Sequence, residues 1–174
     1  LRLLILKVLL NLKIWTSNDM SALGVILAGG QAQRMGGIDK GRLKIGEASI
    51  LEIINKCLSF QLDKIVLNAN GDLTRFSDLE IDVIPDTIKG YVGPLAGILS
   101  GMRFAKKNGF TSILTVASDT PFFPMDLVSK LSNTDIKEQA LISIAATEQN
   151  NKLVRHPTFG SWSVSLADDL EKNI

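Results

Sequence analysis

The most informative segment of this 174-residue chain is the glycine-rich stretch L-A-G-G-Q-A-Q-R-M-G-G-I-D-K-G, Leu27 to Gly41. It follows the apolar run Leu23 to Leu27, whose length is typical of a buried parallel strand. Glycines let the backbone approach a phosphate, and Arg34 and Lys40 add positive charge. A plain tight turn needs one or two glycines, whereas this stretch has four between positions 29 and 37. The sequence therefore predicts a phosphate-binding loop directly after a strand.

Other phosphate-binding and metal-binding classes are excluded by composition. The chain contains neither the G-K-[S/T] of a Walker A loop nor the G-x-G of a dinucleotide fingerprint. A net charge of +1 excludes a generally basic nucleic-acid coat, and 45% hydrophobic residues exclude global disorder. Cys57 and His156 are each the single residue of their type, which leaves too few ligands for a His/Cys zinc site. Any metal is therefore expected to be a hard cation held by oxygens, and Mg²⁺ is the prediction.

The N-terminal segment is predicted to be an extension. Leu1 to Trp15 is apolar, but Arg2 and Lys7 interrupt it, and its runs are too short for a membrane span. No small-residue cleavage site follows, so a signal peptide is also rejected. We expect Met20 to be the natural start, residues 1–20 to lie outside the fold, and residues 21–174 to form one domain.

Apolar strands alternate with helical patterns along that domain. This order predicts an α/β fold with three layers, in which helices cover both faces of a mostly parallel sheet. Gly93, Gly97 and Gly101 recur every four residues, which favours a helix lying close against the sheet. The predicted strands are 23–27, 65–67, 81–84, 111–117 and 141–146, with 153–162 extended or turn-like; the predicted helices are 50–60, 94–107, 125–131 and 164–174.

Polar groups follow four of the predicted strands. They are Gly29-Gly30, Asn68, Asp86 and Ser118-Asp119. Because ligands bind at the carboxyl ends of strands in open α/β sheets, one site is predicted where these loops meet. Each group also has a plain alternative: Asp86 and Asp119 suit turns, and Asn68 suits a strand end.

At the level of motifs, the chain resembles the molybdenum cofactor guanylyltransferase family of nucleotidyltransferases. The resemblance covers Leu23 to Trp162 and begins with L-A-G-G-x-x-x-R-M-G-G-x-D-K-G. It continues, in the family's order, through V-L-N-A-N (66–70), I-P-D (84–86), G-P-L-A-G-I-L-S (93–100), S-D-T-P-F-F-P (118–124) and R-H-P-T-F (155–159).

This resemblance implies a Rossmann-like nucleotidyltransferase fold and a reaction. GMP would pass from GTP to the terminal phosphate of a molybdopterin-type cofactor, with Mg²⁺ present and pyrophosphate released. The implied protein is a cytoplasmic monomer that makes transient contact with cofactor-delivery or acceptor proteins, without nucleic acid or membrane. The implied catalytic residues are Arg34, Lys40 and Asp119, with Asp119 as the metal ligand; the implied nucleotide-binding residues are Leu27, Ala28, Gly29, Gly30, Lys40, Asn68, Asp86 and Asp119.

Two alternatives to this function stay open. The chain stops soon after R-H-P-T-F, whereas family members continue to an N-V-N-T-P-like segment, so a C-terminally truncated domain is expected. A truncated protein that binds GTP without turnover is therefore one alternative. The other alternative is a cytidylyl or sugar-phosphate nucleotidyltransferase. His156 is expected to contact the acceptor rather than to act as a base, because the mechanism does not demand one.

Overall fold

The computed structural model describes residues 3–8, 21–29, 39–88 and 93–174. Within these ranges the strands are β1 (Leu3–Val8), β2 (Ala22–Leu27), β3 (Lys44–Ile45), β4 (Ala48–Ser49), β5 (Ile65–Asn68), β6 (Asp82–Ile84), β7 (Ser112–Ala117), β8 (Ile142–Gln149) and β9 (Lys152–Ser163). The helices in the same ranges are α1 (Ile50–Ser59), α2 (Pro94–Lys107), α3 (Leu127–Glu138) and α4 (Ala167–Lys172).

Seven of these strands form one sheet, in the order β1-β8-β9-β7-β2-β5-β6. β7, β2, β5 and β6 pair in parallel. β9 runs antiparallel to β7 and β8, and β1 runs antiparallel to β8. Five of the seven strands therefore point the same way, which confirms the predicted mostly parallel sheet. β3 and β4 form a separate hairpin.

Helices cover both faces of this sheet, as predicted. Side chains of a strand alternate between its two faces, so Val25 and Ile26 of β2 enter different cores. The core on one side contains α1 and α3, through Leu51, Ile54, Leu58, Leu127, Val128 and Leu131. The core on the other side contains α2 and α4, through Ile98, Leu99, Met102, Ala105 and Ala167. The three-layer prediction is therefore confirmed.

The helix boundaries follow from local chemistry. α1 begins with a capping box: the Glu52 N–H donates to Ser49 Oγ (3.2 Å), and the Ser49 N–H donates to the Glu52 carboxylate (2.5 Å). α2 begins at Pro94, directly after Gly93, whose φ of 77° favours glycine. It ends at Lys107, so its predicted bounds are confirmed.

Three elements differ from their predicted form. The helix expected at 164–174 is divided into a 3-10 turn, Val164–Leu166, and α4, which ends at Lys172. The helix expected at 125–131 extends over Leu127–Glu138, because its inner face is partly polar and the apolar period alone underestimates its length. The segment 153–162, expected as extended or turn-like, belongs to the twelve-residue strand β9 inside the sheet. Pro157 is tolerated within β9 because it lies where the strand bulges against β8, among residues without a partner on β8.

β1 belongs to the segment that was expected outside the fold. Its backbone pairs with β8, with Leu3 opposite Thr147 and Val8 opposite Ile142. An apolar six-residue segment can satisfy the free outer edge of a strand through main-chain hydrogen bonds, and an interrupting lysine does not prevent this. The pairing departs from the expectation for these residues, whereas the boundary at residue 20 stays a prediction. Among the described residues, no helix has the length and hydropathy needed to cross a membrane.

Candidate functional site

The carboxyl ends of four parallel strands lie side by side in the sheet. Leu27 at the end of β2 is opposite Asn68 of β5 on one side and Ala117 of β7 on the other. Asn68 is in turn opposite Ile84 at the end of β6. The loops after these strands therefore leave the sheet along one edge, as predicted.

Asn68 and Asp86 form the centre of a hydrogen-bonded network at this edge. The Asn68 Nδ2 donates to Asp86 Oδ1 (2.9 Å) and to the carbonyl of Ile84 (3.3 Å). Asn70 donates from its Nδ2 to Asp86 Oδ2 (2.6 Å) and accepts from the Asp86 backbone N–H (2.9 Å). Both oxygens of the Asp86 carboxylate therefore have amide donors, which fix its orientation.

Two glycines lie directly against Asn68. A Cβ on Gly97 would lie 2.2 Å from Asn68 Oδ1, and a Cβ on Gly29 would lie 3.1 Å from the same atom. The Asn68 side chain thus fills the space between the loop after β2 and the first turn of α2, and Asn68 is only 1% exposed. Any side chain at position 97 would displace the amide, which explains why glycine is needed there.

Backbone contacts hold the start of the glycine-rich loop on both sides. The Ala28 N–H donates to the carbonyl of Asn68 (2.8 Å), and the Ser118 N–H donates to the carbonyl of Leu27 (3.1 Å). Leu27, Ala28 and Gly29 are all half-buried at this point. Gly30 and Arg34, which the sequence also predicts in the site, lie outside the described residues.

Asp119 lies in the same edge but apart from Asp86. It follows β7 by two residues, is exposed, and accepts a hydrogen bond from Thr120 Oγ1 (3.2 Å). β7 and β6 are three strand spacings apart, about 14 Å. Asp119 and Asp86 therefore follow strands that lie on opposite sides of β2. Among the described residues, no three His, Cys, Asp or Glu side chains form a cage for a metal ion.

Lys40 lies in the short 3-10 turn Lys40–Arg42. Asp39 caps this turn, since its Oδ1 accepts from the Gly41 N–H (3.3 Å). Gly41 is buried against α1, where a Cβ would lie 2.7 Å from Leu51 Cγ. The Lys40 side chain is exposed, and none of the ion pairs among the described residues involves it.

The hairpin of β8 and β9 continues past this edge. His156 Nε2 is 2.9 Å from Thr147 Oγ1 across the hairpin, which assigns the histidine a local structural partner. Between the pairs Gly160–Ile144 and His156–Ala145, three β9 residues have no partner on β8. One of them, Phe159, packs against Phe123 with ring centroids 5.9 Å apart. The bulge in β9 therefore supports the loop that carries Asp119.

Three contributors were not identified as site residues from the sequence. Asn70 holds Asp86, and its position two residues after Asn68 was the available signal. The Ser100 Oγ accepts from the Thr87 N–H (2.8 Å), which ties the loop after β6 to α2. The contact between Phe123 and Phe159 joins residues 36 positions apart, and no local pattern could reveal it.

Comparison with known proteins identifies the family of this chain. The model of the MobA-like NTP transferase domain matches residues 24–173. The chain belongs to this family. It is 40% identical over 148 residues to a molybdenum cofactor guanylyltransferase of Mesorhizobium japonicum, which covers 84% of this chain and 69% of that protein. This MobA-like NTP transferase is therefore a nucleotidyltransferase, and the resemblance seen in its motifs is confirmed.

Solved structures confirm the fold of this MobA-like NTP transferase. Molybdopterin-guanine dinucleotide biosynthesis protein A of Archaeoglobus fulgidus superposes with a TM-score of 0.65 at 24% identity, over 88% of this chain and 72% of that chain. A Mycobacterium tuberculosis protein in complex with manganese superposes with a TM-score of 0.62 at 15% identity, over 87% and 75% of the two chains. At these identities the likeness extends to the fold alone.

Proposed function

We propose that this MobA-like NTP transferase transfers GMP from GTP to the terminal phosphate of molybdopterin bearing molybdenum. The observation that carries the proposal is the packing of Asn68 between Gly29 and Gly97, at the edge where four strands end. This packing fixes the start of the glycine-rich stretch, because Asn68 lies against Gly29 and its carbonyl accepts from the Ala28 N–H. The relative's printed name supports guanylyl transfer as the reaction.

Leu27, Ala28 and Gly29 are proposed to contact the nucleotide through their backbone. Guanine presents N1–H and N2–H₂ donors, so its recognition needs acceptors, and loop carbonyls from Leu27 to Gly30 are the candidates. Asn68 is only 1% exposed, and its side-chain acceptor, Oδ1, lies between Gly29 and Gly97, so it does not face the base. We therefore assign it to hold this loop, together with Asp86. A wrong base that leaves such acceptors unpaired costs about 1–3 kcal/mol for each.

We assign the binding of the GTP phosphates to positively charged groups of the glycine-rich stretch. Lys40 has an exposed ammonium on a fixed turn, and Arg34 and the N–H groups of the loop are proposed to act beside it. A lysine acts on phosphate as a point charge, so its contribution grows with the number of phosphates.

Asp119 fits Mg²⁺ by its donor chemistry. Mg²⁺ takes one or two carboxylates and completes its shell with phosphate oxygens and water, so a complete protein cage is not needed. Asp119 is exposed at the strand edge, where such a shared shell can form. When bound, Mg²⁺ would supply positive charge to the triphosphate.

The reaction needs little from a general base. The acceptor is a phosphate monoester, and one of its oxygens attacks the α-phosphorus of GTP. The new P–O bond forms while the bond from the α-phosphorus to the bridging oxygen breaks, and pyrophosphate leaves with that electron pair. Lys40 and Arg34 stabilise the charge that develops on the leaving group. The proposed reaction therefore uses GTP as the donor, the molybdopterin-type cofactor as the acceptor and Mg²⁺ as the metal, and we place it in the cytoplasm.

Pyrophosphate release tests this function directly. The purified chain is given each of the four nucleoside triphosphates with Mg²⁺, with and without the molybdopterin acceptor. We expect release with GTP only, and only when the acceptor is present. Release with CTP would replace the proposal with cytidylyl transfer. GTP binding without release in either condition would leave a nucleotide-binding protein without turnover.

A further inference from the structure

Two arginines contact one buried phenylalanine beside the turn that carries Lys40. The Arg75 guanidinium carbon lies 4.3 Å from the centroid of the Phe76 ring, and that of Arg42 lies 5.7 Å from it. Phe76 is 1% exposed, so the ring is a fixed platform. Cation–π contacts of this kind hold a guanidinium in place and restrict its rotation.

Hydrogen bonds of the same two arginines join the turn Lys40–Arg42 to the loop between β5 and β6. Arg42 donates to both carboxylate oxygens of Asp78 and, from Nη2, to the backbone carbonyl of Arg75 (2.5 Å). Arg75 donates from Nη1 to the carbonyl of Asp72 (2.5 Å), so its guanidinium is held at the turn Leu73–Phe76. The loop between β5 and β6 is thereby attached to the turn Lys40–Arg42, more than 30 residues away in sequence.

Asp39 connects this arrangement to Lys40. Its Oδ1 accepts from the Gly41 N–H (3.3 Å), while its Oδ2 lies 3.4 Å from Arg75 Nε. One carboxylate therefore caps the turn and pairs with the fixed arginine. The Lys40 backbone is held on both sides, by Asp39 before it and by buried Gly41 after it, while its ammonium stays exposed.

We propose that Arg75 is a positioning residue, which acts through Asp39 to aim Lys40 at the phosphates beyond the α-phosphate of the bound nucleotide. This inference rests on the proposed role of Lys40 in binding GTP. An arginine suits the task because its planar group can stack on Phe76 and donate to Asp39 and Asp72 at once. A lysine in its place could pair with Asp39 but could not keep all three contacts.

The test compares affinities for GTP and GMP at saturating Mg²⁺, by titration calorimetry. The variants are Arg75→Ala, Arg75→Lys, Lys40→Ala and the double variant of Arg75→Ala with Lys40→Ala. Arg103→Ala is the matched control, because the side chain of Arg103 is 28% exposed against 35% for Arg75 and pairs with Asp168 and Glu171 away from this turn. Thermal unfolding of each variant confirms that it is folded.

We expect Arg75→Ala to lower the ratio of GTP to GMP affinity about three- to tenfold, with GMP affinity unchanged. Arg75→Lys should recover part of the ratio, Arg103→Ala should leave it unchanged, and Arg75→Ala should add nothing once Lys40 is removed. A lower ratio in Lys40→Ala but not in Arg75→Ala would overturn the positioning role and leave the proposed function intact. An additive effect in the double variant would overturn it in the same way. An unchanged ratio in Lys40→Ala would overturn the role of Lys40 first, and the inference with it.

Discussion

The substitution Gly97→Ala tests the packing of Asn68 most sharply. The added methyl would lie 2.2 Å from Asn68 Oδ1, 2.9 Å from its Cγ and 3.0 Å from Leu27 Cδ2. The backbone of α2 cannot shift freely, because its next turns are buried against the sheet. The amide must therefore rotate away and lose its hydrogen bonds to Asp86 and the carbonyl of Ile84.

The magnitude follows from these contacts. Two hydrogen bonds of a buried amide are lost, at about 1–3 kcal/mol for each group left unsatisfied. Replacing glycine by alanine inside a helix returns about 1 kcal/mol. The free energy of unfolding should therefore fall by about 1–5 kcal/mol, which corresponds to a decrease of about 2–20 °C in melting temperature for a domain of this size. GTP affinity should fall as well, because Asn68 and Asp86 no longer hold the loop after β2.

Gly101→Ala is the matched control on the same helix. Its methyl would lie 2.9 Å from Val25 Cγ2 and 3.3 Å from Ile113 Cδ1, so it crowds apolar side chains only. Its stability should fall to a similar or smaller extent, while its GTP affinity should stay at the parent value. Urea unfolding and calorimetric titration with GTP measure both quantities. Parent affinity in Gly97→Ala would refute the role assigned to Asn68.

Three further results are expected. Asp119→Asn should abolish Mg²⁺-dependent turnover with an unchanged melting temperature, because an amide keeps the shape but loses the charge that a hard cation needs; full turnover would remove Asp119 from the metal site. Burial raises the pKa of Asp135, so the stability that its protonated carboxyl contributes at about pH 3 should be lost as pH rises through and above about 4, and Asp135→Asn should gain stability relative to the parent between about pH 3 and about pH 7; an unchanged difference in the free energy of unfolding between the two proteins at these two pH values would contradict this. A chain that begins at Met20 lacks β1, which lies four strands from β2, so its GTP affinity in calorimetry should equal that of the parent; a large loss would assign the segment to the site.

Local patterns were sufficient to predict the elements that form the site. The run Leu23 to Leu27 ends in glycines and becomes β2, and Gly93-Pro94 marks the start of α2. The four-residue spacing of glycines predicted a helix lying close to the sheet. The spacing did not predict that the closest neighbour of Gly97 would be the polar side chain of Asn68, because that contact depends on how β5 and α2 are placed in three dimensions.

The features that the sequence did not predict depend on polar contacts between segments that are distant in sequence. α3 was predicted too short because buried Asp135 on its inner face bonds to Ser143 and Ser161, and polar residues weaken an apolar period. The sequence places Asp39 directly beside Lys40 but shows no further partner for it. Its partner Arg75 lies 36 residues away, and only the folded chain brings the two together.

The most direct test of guanylyl transfer uses labelled GTP and measures which product receives the labelled phosphate. The chain is incubated with Mg²⁺ and molybdopterin bearing molybdenum, together with GTP labelled at the α-phosphate or at the γ-phosphate. Transfer of GMP predicts that the α-label enters the acceptor product and that the γ-label is recovered in pyrophosphate, with neither outcome in the absence of acceptor. Recovery of the γ-label in the acceptor, or of the α-label only in free GMP, would contradict the account.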